Sequence, residues 1–234
     1  VIIAGITTLA LMGNYTYFGH TPAELDFGPA WIAVVLCSIA GGLTGGLFSA
    51  ALIRAARGLP GRIGQLLMRH PVTFAAGCGV AIAAIGVISH GQTYGTGYDQ
   101  ARGMVEATTT LPASYVILKF AATVISYISG IPGGLFAPSL SVGAGLGTWL
   151  AHLLPSAPAG AVVLLGMVGY FSGVVQAPIT ATIIVMEMTD DQRVTVPLLA
   201  TAFLAFGVSR LVCRRPLYSA LARRFLEAQQ HVAC

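Results

Sequence analysis

The run Ser129-Gly130-Ile131-Pro132-Gly133-Gly134-Leu135-Phe136-Ala137-Pro138-Ser139-Leu140 has the residue types and order needed to hold an anion. A Gly-rich turn containing Gly133 and Gly134, bounded by Pro, leads directly into an apolar, Gly-rich segment that reads as a helix. The first turn of a helix presents N–H groups with no acceptor inside the helix. With the macrodipole they form an end equivalent to about half a positive charge. Gly133 and Gly134 let the backbone approach an ion closely. Leu135 and Phe136 offer amides whose side chains exclude water. An ion held by amides can leave again, which conduction requires and a fixed Lys or Arg would oppose.

Other chemistry is poorly supported. Cys37, Cys78, Cys213 and Cys234 are far apart, form no CxxC pair and share no ligand spacing with His, so neither a metal nor another cofactor is expected. A hydrolase would need a nucleophile and a base at one depth. Ser126, Ser129 and Ser139 are present, but His152 is the only His in the long uncharged stretch, and no HExxH occurs. The expected protein is therefore not an enzyme. Nor does it bind nucleic acid: although the pI is about 9.0, there is no basic stripe with interleaved aromatics.

Composition says which elements must position the Gly-rich turn. Of 234 residues, 9% are charged and 56% are hydrophobic. A soluble domain carries about 25% charged residues. The mean hydropathy of +0.81 points to a membrane protein in contact with lipid. The chain opens on Val1 in an apolar run, Val1–Phe18, with no basic region before it. This reads as the tail of a membrane helix and makes the chain a fragment of a longer polypeptide. Further apolar segments are Trp31–Ile53, Val72–Ser89 and Val196–Val208, and Leu217–Gln230 reads as amphipathic. Between them, Phe120–Met186 contains no Asp, Glu, Lys or Arg. It is interrupted at Gly130–Gly134, Pro138, Pro155, Pro158 and Gln176–Pro178, so it should form several short helices, some starting or stopping inside the membrane. Arg54, Arg57, Arg62 and Arg69, with Arg210, Arg214 and Arg215, put their loops on the cytoplasmic side. Gly41, Gly42, Gly45 and Gly46, and later Gly143, Gly145 and Gly147, read as close helix contacts.

SGIPGGLFAPSLSVGAG resembles the second-half signature of the CLC family of chloride channels and proton-coupled chloride transporters, with GxFxP standing as Gly134, Phe136 and Pro138. The stretch Gln176-Ala177-Pro178-Ile179-Thr180-Ala181 through Glu187-Met188-Thr189 looks like the family's next helix, and Pro216-Leu217-Tyr218 like the "PLY" that opens its last. The resemblance implies an all-α integral membrane protein, a multi-helix bundle with broken and re-entrant helices. It makes 1–234 the C-terminal half of the membrane domain, one of two inverted repeats, with no cytoplasmic regulatory domain within it. The implied function is transport of chloride, by a voltage-gated channel or an H+/Cl- antiporter; another anion such as fluoride or nitrate on the same scaffold is the alternative.

By the same resemblance the N–H groups of Leu135, Phe136 and Ala137 line the anion site, and the Tyr218 hydroxyl donates to a central chloride. A phenol suits that role, since it donates without carrying charge. Ser129 looks like a first-half anion-binding Ser but directly precedes GxFxP, so it is not assigned to the site. The family's GREGP glutamate and its inner proton-path glutamate have no counterpart here, and Glu187, near the end of its segment, reads as structural. The implied partners are chloride, protons in the antiporter case, membrane lipid and a second subunit in a homodimer. The dimer would use Val1–Phe18, Ile179–Met188 and Val196–Val208. The expected location is a bacterial inner (plasma) membrane, multi-pass. Half a pore is not expected to transport chloride alone.

Overall fold

A computed structural model describes residues 7, 10, 11, 13, 16–25, 27–56, 70–131 and 133–222. Most of Val1–Phe18, the cations Arg57, Arg62 and Arg69, Pro132, and the end of Leu217–Gln230 lie outside the described residues.

Regular structure among the described residues is helical. A 3-10 turn at Pro29–Trp31 leads into α1 (Ile32–Ala56); then come α2 (Pro71–Ile88), α3 (Tyr98–Val105), α4 (Ser114–Ile128), α5 (Phe136–Leu153), α6 (Ala159–Val175), α7 (Pro178–Thr189) and α8 (Thr195–Val212). Residues 217–222 begin a further helix. Three segments, Pro29–Ala56, Pro71–Ile88 and Thr195–Val212, are long and apolar enough to cross a membrane by length and composition. The uncharged stretch is broken into short helices. Pro158 caps α6 and Pro178 opens α7, positions where a missing N–H costs nothing.

Three boundaries differ from the sequence reading. Pro138 does not interrupt anything: it sits in the first turn of α5, where no intrahelical hydrogen bond is lost. α1 continues through Arg54, whose charge falls in the last turn and complements the helix's negative end. Tyr98–Val105, which falls between the apolar segments of the sequence, is a helix, α3. Its Arg102 Nε donates to Glu106 at 2.9 Å and its Nη1 to the Tyr98 hydroxyl at 3.1 Å, so the polar face holds itself together.

The centre of the bundle is α6. Its sequence is apolar on every side, and every residue from Gly160 to Val174 is buried, as expected of a helix wrapped all round. α1, α5, α7 and α8 pack around it. Glycines set how close they come. A Cβ at Gly41 would lie 2.5 Å from the Tyr170 nitrogen, and one at Gly45 2.6 Å from the Tyr170 oxygen. A Cβ at Gly42 would lie 2.6 Å from the Ala205 oxygen of α8, and one at Gly143 or Gly147 would lie 2.7 Å from Met167 Cα or 2.6 Å from the Val162 oxygen on α6. These positions bring backbone against backbone, as the glycine spacing indicated. Hydroxyls add cross-links: Ser49 Oγ donates to the Val174 carbonyl at 3.0 Å, Ser172 Oγ to Ala202 at 2.7 Å and Ser209 Oγ to Gly173 at 2.6 Å.

Candidate anion site

Between α4 and α5 the chain makes an open turn. α4 ends at Ile128 and is capped by Ser129, whose Oγ donates back to the Ser126 carbonyl at 2.6 Å. Gly130 follows at φ +81, in the left-handed region that favours glycine. Gly133 and Gly134 are exposed, and a Cβ on either would meet nothing within 4 Å. The residue that caps α5 is Leu135, buried at 8% exposure and making no side-chain cap hydrogen bond. A Ser, Asp or Asn here would take up the first-turn amides with its own side chain; Leu leaves them open. Among the described residues no group accepts from the N–H of Gly133, Gly134, Leu135, Phe136 or Ala137. The first bond of the turn is Ser139 N–H to Leu135 O, at 3.1 Å.

Gly133, Gly134, Leu135 and Pro138 face a hollow. A cavity of about 260 Å³ is lined by Lys119, Tyr127, Gly133, Gly134, Leu135 and Pro138, among others. A second, of about 420 Å³, shares Tyr127, Ile131 and Gly133 with it and reaches Ala55 and Ala56 at the end of α1. The open turn thus stands where the two hollows meet.

Tyr218 arrives from the far end of the chain. Leu217 is fully buried in an apolar cluster that contains Leu135, Phe48 and Tyr170. That anchor lays the Tyr218 ring against Phe136, with centroids 5.7 Å apart and planes 26° apart. Phe136 also packs on Phe171 of α6, at 5.1 Å. Tyr218 keeps 38% exposure. The structure therefore collects Gly133, Gly134, Leu135, Phe136, Ala137, Pro138 and Tyr218 at one end of α5. Glu187 is apart from them, exposed on α7.

Two residues outside the site candidates read from the sequence support this arrangement. Gln176 joins α6 to α7 in a left-handed conformation, φ +57, and its Nε2 donates to Ser209 Oγ at 3.2 Å and to the Cys213 carbonyl at 2.6 Å. It ties down the turn that leads from α8 to Tyr218. Lys119 on α4 is 2% exposed, and its Nζ donates to the carbonyls of Thr93 at 2.9 Å and Gly95 at 2.8 Å. The charge-free stretch begins one residue after it.

Compared with known protein families, residues 1–210 match the voltage gated chloride channel family. The chain belongs to this family. The H(+)/Cl(-) exchange transporter ClcA of Yersinia pestis bv. Antiqua (strain Angola) is 36% identical over 120 residues, which are 49% of this chain and 25% of the relative. ClcA of Klebsiella pneumoniae subsp. pneumoniae is 34% identical over the same extent. Among solved structures, a CLC-type fluoride/proton antiporter superposes with a TM-score of 0.77 at 20% identity, covering 92% of this chain and 52% of that one. A slow cyanobacterial Cl-/H+ antiporter gives 0.76 at 23%, covering 98% and 55%. The fold is that of these antiporters, and the chain spans about half of their length.

Proposed function

We propose that the chain supplies one wall of a chloride path, in a membrane protein that acts as a chloride channel or an H+/Cl- exchanger. The observation that carries this reading is the uncapped start of α5. The turn that leads into it, Gly133 to Leu135, opens on a cavity, and the Tyr218 ring stacks on Phe136 in its first turn. The relatives at 34–36% identity, named for H(+)/Cl(-) exchange, support chloride as the ion and protons as the exchanged species.

The mechanism needs no covalent step. A chloride that sheds water is held by the N–H groups of Leu135, Phe136 and Ala137 and by the field of an 18-residue helix. The apolar side chains of Leu135 and Phe136 lower the local dielectric, so these dipoles act more strongly on the ion than they would in water. The donors are neutral, so the ion is released when another arrives. The parent protein pairs this wall with a second repeat in each subunit, forms a homodimer and resides, multi-pass, in a bacterial inner membrane. Chloride titrated calorimetrically into the purified chain should bind, and gluconate should not. Equal heats for the two ions, or none for chloride, would contradict the reading.

A further inference from the structure

We propose that Gln176 is a positioning residue for the anion: its side-chain amide holds the turn after α8 so that the Tyr218 hydroxyl points at the ion. The proposal rests on the reading above for the ion, and on the bonds of Gln176 for the placement.

Gln176 is a costly residue where it stands. Its φ of +57 and ψ of 38 are left-handed, a region that Gly and Asn enter more readily. Its Oε1 is buried and has no partner among the described residues. A buried acceptor without a donor has given up water for nothing. Costs of this kind collect at functional sites. The return comes through the nitrogen. One Nε2 hydrogen goes to Ser209 Oγ at 3.2 Å and the other to the Cys213 carbonyl at 2.6 Å. The Ser209 hydroxyl gives its own hydrogen to the Gly173 carbonyl at 2.6 Å, so its oxygen is free to accept. Turning the amide round would set Oε1 against the Cys213 carbonyl, acceptor against acceptor.

The tie runs from a fixed part of the bundle to one with few fixings of its own. Gly173 lies in the seam of α6 with α1, where a Cβ on it would come 2.8 Å from the Gly41 oxygen. Cys213 stands where α8 stops. Beyond it Arg214 and Arg215 are exposed, and the Cys213 thiol donates to the Arg215 carbonyl at 3.3 Å. Leu217 then enters the apolar cluster that also holds Cys213 and Leu135, and Tyr218 follows it. Apolar contact sets how deep Leu217 sits, but it has no direction. A hydroxyl that donates to an ion needs one. The bond to the Cys213 carbonyl supplies it, because it orients the turn from which Tyr218 projects.

The test is chloride calorimetry on the purified chain in detergent, as a double-mutant cycle. Gln176→Asn suits the left-handed backbone but is too short to keep both bonds, so the chain should fold and the turn should loosen. Chloride affinity should fall about 10-fold. In a chain that already carries Tyr218→Phe, the same change should alter affinity by no more than about 2-fold, since no hydroxyl is left to misplace. A merely structural role would lower the Tm without this dependence on Tyr218. An equal loss in both backgrounds, or no loss in the single variant, overturns the proposal. Should Gln176→Asn fail to fold, Ser209→Ala removes one anchor of the amide, leaves residue 176 intact and carries the same expectations. A fluorine label on the Tyr218 ring gives a readout that needs no chloride. Its NMR resonance should shift and broaden in Gln176→Asn, and an unchanged resonance overturns the proposal. If the unaltered chain binds no chloride, the chloride reading falls, and the fluorine resonance alone decides whether Gln176 places Tyr218.

Discussion

Phe136 opens α5 with its ring 5.7 Å from that of Tyr218, the planes within 26° of parallel. The contact joins the free amides of one helix to the phenol at the start of another, and two functional parts of that pair can be removed separately. Tyr218→Phe keeps the stacked ring and deletes the hydroxyl. A hydrogen bond to a charged group is worth about 1.5–3 kcal/mol, so chloride affinity should fall about 10- to 100-fold. Tyr218→Ala should weaken it at least as much, since Phe136 then loses its neighbour. Calorimetry on both variants checks this, and a Phe variant that binds like the unaltered chain would take Tyr218 out of the site.

Two glycines should respond in opposite ways. A methyl at Gly45 would press on the Tyr170 carbonyl from 2.6 Å, and backbone cannot swing aside. Gly45→Ala should cost about 1–3 kcal/mol and lower the Tm accordingly. At Gly134 the same methyl meets nothing within 4 Å, so Gly134→Ala should leave stability within about 0.5 kcal/mol. Gly134→Leu should fold as well, yet fill the hollow and abolish chloride binding. A large loss of Tm in Gly134→Ala would show that this glycine packs rather than opens.

Acidity should act at the turn between α7 and α8. Asp191 is 1% exposed; Oδ1 accepts from the Arg193 amide at 3.1 Å, and Oδ2 has no partner. Burial pushes its carboxyl above the usual range, outweighing the Arg193 amide and the charges of His20 and Arg193; Glu24 pushes the same way as burial. The folded chain therefore keeps this proton to higher pH than the unfolded chain does. The stability tied to it is fully present below about pH 4, near the ordinary Asp value, and is lost as pH rises through the folded value. Asp191→Asn should melt above the unaltered chain at neutral pH, with the gap closing toward pH 4. Melting curves across that range check the sign; a gap that widens on acidification would reverse it.

Much of this architecture could be read from residue order because Gly and Pro punctuate the chain where backbone leaves the helical path. Gly130 to Gly134 and Gln176 to Pro178 announce the breaks, and the Gly41–Gly46 spacing announces the close seam. Other parts had no such signal. Pro138 looks like a break but costs nothing in a first turn. α3 is short and polar, and it follows glycines at 91, 95 and 97. Lys119 is a lone cation whose partners are the carbonyls of Thr93 and Gly95, and backbone acceptors leave no trace in side-chain types. Gln176 is neutral, and its place at the foot of α8 exists only once the chain turns left-handed there.

The seam of α1 with α6 and α8 limits how this protein can move. Leu43 and Thr44 stand between the glycine pairs of α1, so sliding α1 by a residue would drive a branched side chain into main chain that now admits only hydrogen. The three helices are keyed like a shaft in its slot and must travel as one piece. Movement within this chain then falls to parts outside that key, such as α2, whose only buried residues are Cys78 and Gly86, or the short lever that carries Tyr218.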